Sequence, residues 1–152
     1  MKIRIYTDGA CRGNPGPGGW GAIILFSDKR KEISGCEEYT TNNRMELKAV
    51  IEAIKRVTRK LDNTQFKCIE VYSDSAYVVN AVKQGWLKRW KWNGWKTRND
   101  DAVKNKDLWQ ELDEMLGQHK INLVKIKGHS GHKHNERVDL IAKEAIDLIA
   151  MA

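Results

Sequence analysis

Two acidic residues close runs of the same design, Tyr6-Thr7-Asp8-Gly9 and Tyr72-Ser73-Asp74-Ser75. In sheets covered by helices, ligands gather beyond the carboxyl ends of the strands. If these runs end neighbouring parallel strands, Asp8 and Asp74 stand side by side. Like charges that close are costly unless a cation is shared between them. Each acid also has a plainer reading, Asp8 as a turn residue and Asp74 as the N-cap of a following helix. Glu46 divides in the same way: with Asn43 as N-cap it stands at N3 and completes a capping box. Asp139, next to Val138 and two before Ile141, has the position of an ordinary solvated helix residue.

A second group of chemically capable residues is His129, His132 and His134. His129 lies in Gly128-His129-Ser130-Gly131, a glycine-bracketed loop expected to be mobile. An imidazole titrating near neutrality on such a loop suits proton shuttling. The alternatives are a plain polar loop or a zinc cluster, and zinc wants a fourth ligand that Cys11, Cys36 and Cys68 do not offer at matched spacing.

The charge is unevenly spread. Of the formal net charge of +7, nearly all falls between Lys83 and Arg98, which hold Lys83, Lys88, Arg89, Lys91, Lys96 and Arg98 without an acid. The same stretch contains Trp86, Trp90, Trp92 and Trp95 out of 6 tryptophans. Cations interleaved with aromatics suit a polyanion with stackable or sugar faces. The plainer reading packs Trp86, Trp90 and Trp109 together and leaves the lysines to solvate the outside.

These residues must be held by a small set of elements. Alternation makes Lys2–Thr7 a strand ending at Asp8. Two prolines and several glycines make Cys11–Gly21 a loop. Trp20–Ser27 and Lys31–Tyr39 form a hairpin across Asp28-Lys29-Arg30. A helix begins near Asn43, with Leu47, Val50, Ile51, Ile54, Val57 and Leu61 on one apolar stripe. Phe66–Ser73 is a fourth strand, followed by a short helix to Val82. After the basic segment come a helix from about Asp107 to Leu116, stopped by Gly117, and a fifth strand, Ile121–Lys127. The loop Gly128–Asn135 leads into a last helix that buries Val138, Ile141, Ala142, Ala145 and Ile149. The order βββαβααβα implies an α/β fold, a mixed five-stranded sheet with helices packed on it.

Length and composition agree. At 152 residues with 41% hydrophobic side chains, the chain suffices for one domain with one core, which excludes wholesale disorder. No run approaches the ~18 apolar residues of a membrane span, and Met1–Asp8 lacks the apolar stretch of a signal peptide. An odd number of widely spaced cysteines points to a reducing compartment, the cytoplasm. The sequence ends at Ala152, directly after the last helical stretch, so a monomer without a recruiting tail is the expectation.

Five blocks together carry a family likeness: Tyr6-Thr7-Asp8-Gly9; Gly13-Asn14-Pro15-Gly16-Pro17-Gly18-Gly19; Thr41-Asn42-Asn43-Arg44-Met45-Glu46; Ser73-Asp74-Ser75; and Gly128-His129-Ser130-Gly131-His132 with Asn135-Glu136-Arg137-Val138-Asp139. In this order and spacing they resemble bacterial ribonuclease HI, the type 1 ribonuclease H family, over nearly the whole chain. The resemblance implies a single ribonuclease H domain over residues 1–152. It implies hydrolysis of the RNA strand of RNA–DNA hybrids, giving 5′-phosphate and 3′-hydroxyl ends, with Mg2+ or Mn2+.

By that resemblance Asp8, Glu46, Asp74 and Asp139 are the metal-binding acids and His129 is the mobile-loop histidine. Asp8 bridges two ions, Asp74 and Glu46 complete one side, and Asp139 holds the ion on the nucleophile side. Two hard cations about 3.5–4 Å apart would activate a water and stabilise the leaving oxygen, and carboxylate ligands suit Mg2+ over zinc. Asn14, Asn42 and Asn43 match positions near the substrate, where amides can both donate to and accept from the RNA 2′-hydroxyl, and Thr41 matches a contact to a phosphate of the DNA strand. The basic segment at about 80–100 aligns with the family's handle, in which Trp86, Lys88, Arg89 and Lys91 would hold the duplex. One departure stands out: after Asp74-Ser75, relatives often carry a glutamine, and here the residue is Ala76.

Overall fold

The computed structural model describes residues 2–60, 68–128 and 132–149. Its elements are β1 (Lys2–Cys11), β2 (Gly16–Phe26), β3 (Lys29–Thr40), α1 (Asn42–Lys60), β4 (Cys68–Ser73), α2 (Ala76–Lys83), α3 (Trp86–Trp92), α4 (Lys106–Gln118), β5 (Ile121–Lys125) and α5 (Lys133–Asp147). The 5-stranded sheet runs β3-β2-β1-β4-β5. β1 pairs antiparallel with β2 and parallel with β4, so the sheet is mixed, as expected. One element is added to the expected order: the basic segment itself contains the short helix α3, where Trp86, Leu87 and Trp90 meet the core.

Alternation along β1 sends Ile3 and Ile5 into the core beneath α1, together with Leu47, Val50, Ile51 and Ile54. Tyr6 faces the other way, packing with Ile23 under Val138 and Ile141 of α5. Helices therefore cover both faces, and each face supplies acids to the same sheet end.

Several boundaries differ from the sequence expectation. β1 does not end at Asp8, because β2 keeps pairing with it: Asp8 opposes Gly21, Gly9 opposes Trp20, Ala10 opposes Gly19 and Cys11 opposes Gly18. β4 leaves β1 at the Thr7–Ser73 pair, so a notch opens between the two strands just where Asp8 and Asp74 stand. The expected loop Cys11–Gly21 shrinks to the few residues between β1 and β2. Gly13 turns the chain there at a positive φ of 68°, whereas Gly19 and Gly21 serve close approach: a Cβ on Gly19 would strike the Ala142 carbonyl and lie 3.0 Å from Ala145 Cβ, and one on Gly21 would lie 2.6 Å from Ile141 Cγ2. β2 is bare there so that α5 can lie against it. The hairpin turn tightens to Ser27 and Asp28, with Ser27 at a positive φ of 52°. α4 runs through Gly117 to Gln118, since a glycine can continue a helix, and β5 stops at Lys125. Leu61, Phe66 and Lys67 lie outside the described residues.

Candidate active site

Asp8 sits within β1, only 5% exposed, with its Oδ1 accepting a hydrogen bond from Gly9 N at 2.9 Å. Its reading as a turn residue is therefore replaced by a strand position at the open notch. Asp74 does not cap α2. Ser75 does, its hydroxyl accepting from Val78 N at 3.2 Å, while Ser73 Oγ accepts from Ser75 N at 3.0 Å. Glu46 does not complete a capping box. The N-cap is Thr41 rather than Asn43, its Oγ1 accepting from Arg44 N at 3.2 Å, which puts Glu46 beyond the first turn and leaves its carboxylate for other work.

Glu46 reaches Asp8 because Gly9 has no side chain. A Cβ at Gly9 would lie 2.5 Å from both Glu46 N and Met45 C, so only glycine lets α1 come this close to β1. The outcome is a compact group in which carboxylate oxygens of Asp8, Glu46 and Asp74 all lie within 4.8 Å of one another. Asp139, on α5, is near enough for its charge to act on Asp8, yet it stands outside that group and pairs with Lys143 Nζ at 2.9 Å. Three of the four expected acids thus converge fully and the fourth stands at the rim.

The electrostatics follow from this crowding. Burial, with the neighbouring charges of Asp74 and Asp139, pushes the Asp8 carboxyl up to about 7, against hydrogen bonds from Glu46 and Gly9. Burial and the charge of Asp8 likewise raise Glu46 well above the usual carboxylate range. The two behave as one unit that retains a proton near neutrality. Glu46 Oε2 is buried without a hydrogen-bond partner among the described residues. An orphaned carboxylate oxygen inside an all-oxygen, like-charged cluster is the donor set a hard divalent cation requires, so the residues present fit such an ion.

A second cluster lies beside the start of α1. Asn14 Oδ1 accepts from Asn42 N at 3.0 Å, tying the β1–β2 loop to the helix terminus. A recess of about 360 Å³ is lined by Asn14, Thr41, Asn43, Lys104 and Asn105. Arg44 joins it to α4, donating to Asn105 Oδ1 at 3.2 Å and to both oxygens of Asp107 at 3.0 and 2.8 Å. Sequence reasoning missed Lys104 and Asn105. The readable signal was the Asn105-Lys106 step before a helix, where Asn105 takes a left-handed φ of 61°.

On the handle, Trp86 and Trp90 rings lie 6.5 Å apart, and Trp90 meets Trp109 edge-on at 5.5 Å, so Trp86 is mostly a packing residue. Lys88 and Arg89 are exposed, and Lys91 is held by Asp113 at 3.2 Å. Ala76 is exposed at the start of α2. His129 lies outside the described residues. Its neighbour Gly128 passes Asp74 closely, a Cβ there falling 3.0 Å from Asp74 Oδ2. Cys11, Cys36 and Cys68 are free thiols.

The family model for RNase H matches residues 1–147. The chain belongs to the RNase H family. A ribonuclease H of Acetivibrio thermocellus is 52% identical over 145 residues, covering 95% of each chain, and one of Moorella thermoacetica is 50% identical over 145 residues, covering 95% of this chain and 91% of that one. The fold agrees with solved members. LC9-RNase H1, a type 1 RNase H with the type 2 active-site motif, superposes with a TM-score of 0.82 at 31% identity, covering 96% of this chain and 72% of that one. LC11-RNase H1, solved in complex with an RNA/DNA hybrid, gives 0.76 at 27% identity, covering 97% and 99%. The family's enzymes are metal-dependent hydrolases, and the Asp8, Glu46 and Asp74 group is an acidic cluster that could hold a metal ion. No helix among the described residues is long and apolar enough to cross a membrane.

Proposed function

We propose that this protein is an endoribonuclease that cuts the RNA strand of RNA–DNA hybrids, leaving 5′-phosphate and 3′-hydroxyl ends, as one ribonuclease H domain over residues 1–152. The observation that carries the reading is the convergence of the Asp8, Glu46 and Asp74 carboxylates at the notch where β4 leaves β1. Asp8, Glu46, Asp74 and Asp139 are the catalytic acids and would hold Mg2+, with Mn2+ as substitute, as two ions. When bound, such ions neutralise the phosphodiester, acidify a water and stabilise the leaving oxygen.

The chain's own residues set the geometry. Asp8, anchored by Gly9 N and acted on by Glu46, Asp74 and Asp139, would be the carboxylate shared between the ions. Glu46 and Asp74 flank it. Asp139 exchanges Lys143 for the reaction centre, and that exposed ion pair is weak enough to be exchanged readily. His129 follows the glycine that lies against Asp74 and moves a proton during water attack or product departure. Asn14 and Asn43 in the recess, with Asn42 beside it, read the 2′-hydroxyl, Thr41 lies at a phosphate of the DNA strand, and Lys88 and Arg89 grip the duplex from the handle, with smaller contributions from Lys91, which Asp113 holds, and from Trp86, which mostly packs. The protein acts as a cytoplasmic monomer.

Labelled hybrid, double-stranded RNA and single- and double-stranded DNA, each incubated with Mg2+, Mn2+ or EDTA, test the reading. Cutting confined to the hybrid and abolished by EDTA is expected; cutting of DNA, or activity surviving EDTA, overturns it. His129→Ala should lower turnover while leaving hybrid affinity nearly unchanged, and a loss of affinity contradicts the shuttle role.

A further inference from the structure

The handle leaves one large aromatic side chain unexplained. Trp86, Trp90 and Trp95 are half-buried and pack against the core. Trp92, in the last turn of α3, is 90% exposed and makes no ring contact among the described residues. Exposing an indole of this size has a cost that its neighbours avoid.

Its surroundings say what covers it. On the helix surface the residues three and four positions earlier are Arg89 and Lys88, both exposed and neither in an ion pair among the described residues. Next to this face lies a recess of about 460 Å³ lined by Trp86, Arg89, Trp90, Asn93, Lys96 and Arg98. No acid occurs from Lys83 to Arg98. Cations that track a backbone beside an aromatic platform are the architecture of single-strand binding, because a ring needs the face of a base and cations need its phosphate. A continuous duplex offers phosphates and sugar edges but hides its base faces in the stack, so only an unpaired nucleotide gives Trp92 a full base face beside those phosphates.

We propose that Trp92 stacks on an unpaired nucleotide, so that the handle favours hybrids that continue into a single-stranded extension over blunt ones. The extension's phosphates lie along Lys88 and Arg89 and its base lies on the indole. This specificity rests on the hybrid hydrolase reading and adds a substrate class to it.

The test measures binding in EDTA, which separates it from cleavage, at one fixed salt concentration. Three ligands are compared: a blunt hybrid, the same hybrid with a short single-stranded DNA extension, and the extended hybrid with abasic sites throughout the extension. For the unmodified protein the extended hybrid should bind about tenfold more tightly than the abasic one, the scale of one base–aromatic stack. Trp92→Ala should bring that ratio close to one, and Trp92→Phe should keep most of it. A ratio near one in the unmodified protein overturns the proposal, as does a ratio that survives Trp92→Ala. If Trp92→Ala instead weakens all three ligands equally, the indole lies on the duplex backbone and the proposal is also wrong. Cleavage of the blunt hybrid with Mg2+ reports separately on the hydrolase reading.

Discussion

At the sheet end, Asp8 and Glu46 share a site that burial and mutual repulsion make hostile to two negative charges. The folded state therefore binds protons more tightly there than the unfolded chain does. Between the usual carboxylate range near 4 and the raised value of about 7 for Asp8, stability falls as pH rises. Thermal melts in EDTA should show this decline, and saturating Mg2+ should flatten it. Glu32 has the opposite sign: Arg137 and Arg30 lower it from 4.5 to about 2, so its small, solvent-screened contribution is lost as pH falls through that acid range. Asp8→Asn removes one of the repelling charges. We expect turnover in Mg2+ to drop at least about a hundredfold, the scale of losing one electrostatic contributor to the transition state. The same substitution should raise the metal-free Tm by about 2–4 °C, the shift that follows from ~1 kcal/mol in a chain of this size. Activity near that of the unmodified protein in Mg2+ would refute the metal role.

Among the elements, glycines decide how near the helices come. Gly9 admits the first turns of α1 to β1, and Gly19 and Gly21 admit α5 to β2. Gly9→Ala should cost about 1–3 kcal/mol by overpacking. Because the added methyl meets helix backbone rather than a flexible tip, it should also push Glu46 away from Asp8. Denaturant melts and the Mg2+ concentration for half-maximal activity check the two effects. A stability loss with unchanged Mg2+ dependence would show that Glu46 is not held through this packing. Gly19→Ala tests the other face, since it displaces α5 and with it Asp139 from a strand position that opposes Ala10 rather than Asp8. Capping shows the same division of labour: Thr41 and Ser75 satisfy the helix N-termini, so Glu46 and Asp74 do not have to.

For the whole molecule, charge and topology act together. The acids gather where β1 and β4 part, while the surplus of positive charge rides on α3 and the segment after it. A polyanion drawn to the handle is thereby delivered to a site that would otherwise repel it. Hybrid affinity should fall steeply with salt. Replacing Lys88 and Arg89 by Ala should flatten the slope of log K against log salt by about 0.9 for each phosphate that is no longer neutralised. An unchanged slope would remove the handle from the binding surface. Lys91 should matter less, because Asp113 already holds it.

Most of the elements, and the acids of which Asp8, Glu46 and Asp74 come together, were legible in the linear chain. Strand alternation and helical stripes are local signals, and the family resemblance carried by the five motif blocks points to Asp8, Glu46, Asp74 and Asp139 before any folding is considered. What those residues do locally was not legible. Asp8, Asp74 and Glu46 each had a turn or cap alternative; continued pairing with β2 removed the first, and the actual helix starts, with Thr41 and Ser75 as the capping hydroxyls, removed the other two. The Gly/Pro-rich run after Cys11 reads as a loop because glycine marks turns and close approaches alike, and only packing against α5 tells the two apart. The exposure of Trp92 beside three packed tryptophans is equally invisible in sequence, where all four look the same. Periodicity reports which face of an element is apolar. The distance between side chains far apart in the chain, and hence their shared protons and shared ions, arises only when the elements pack.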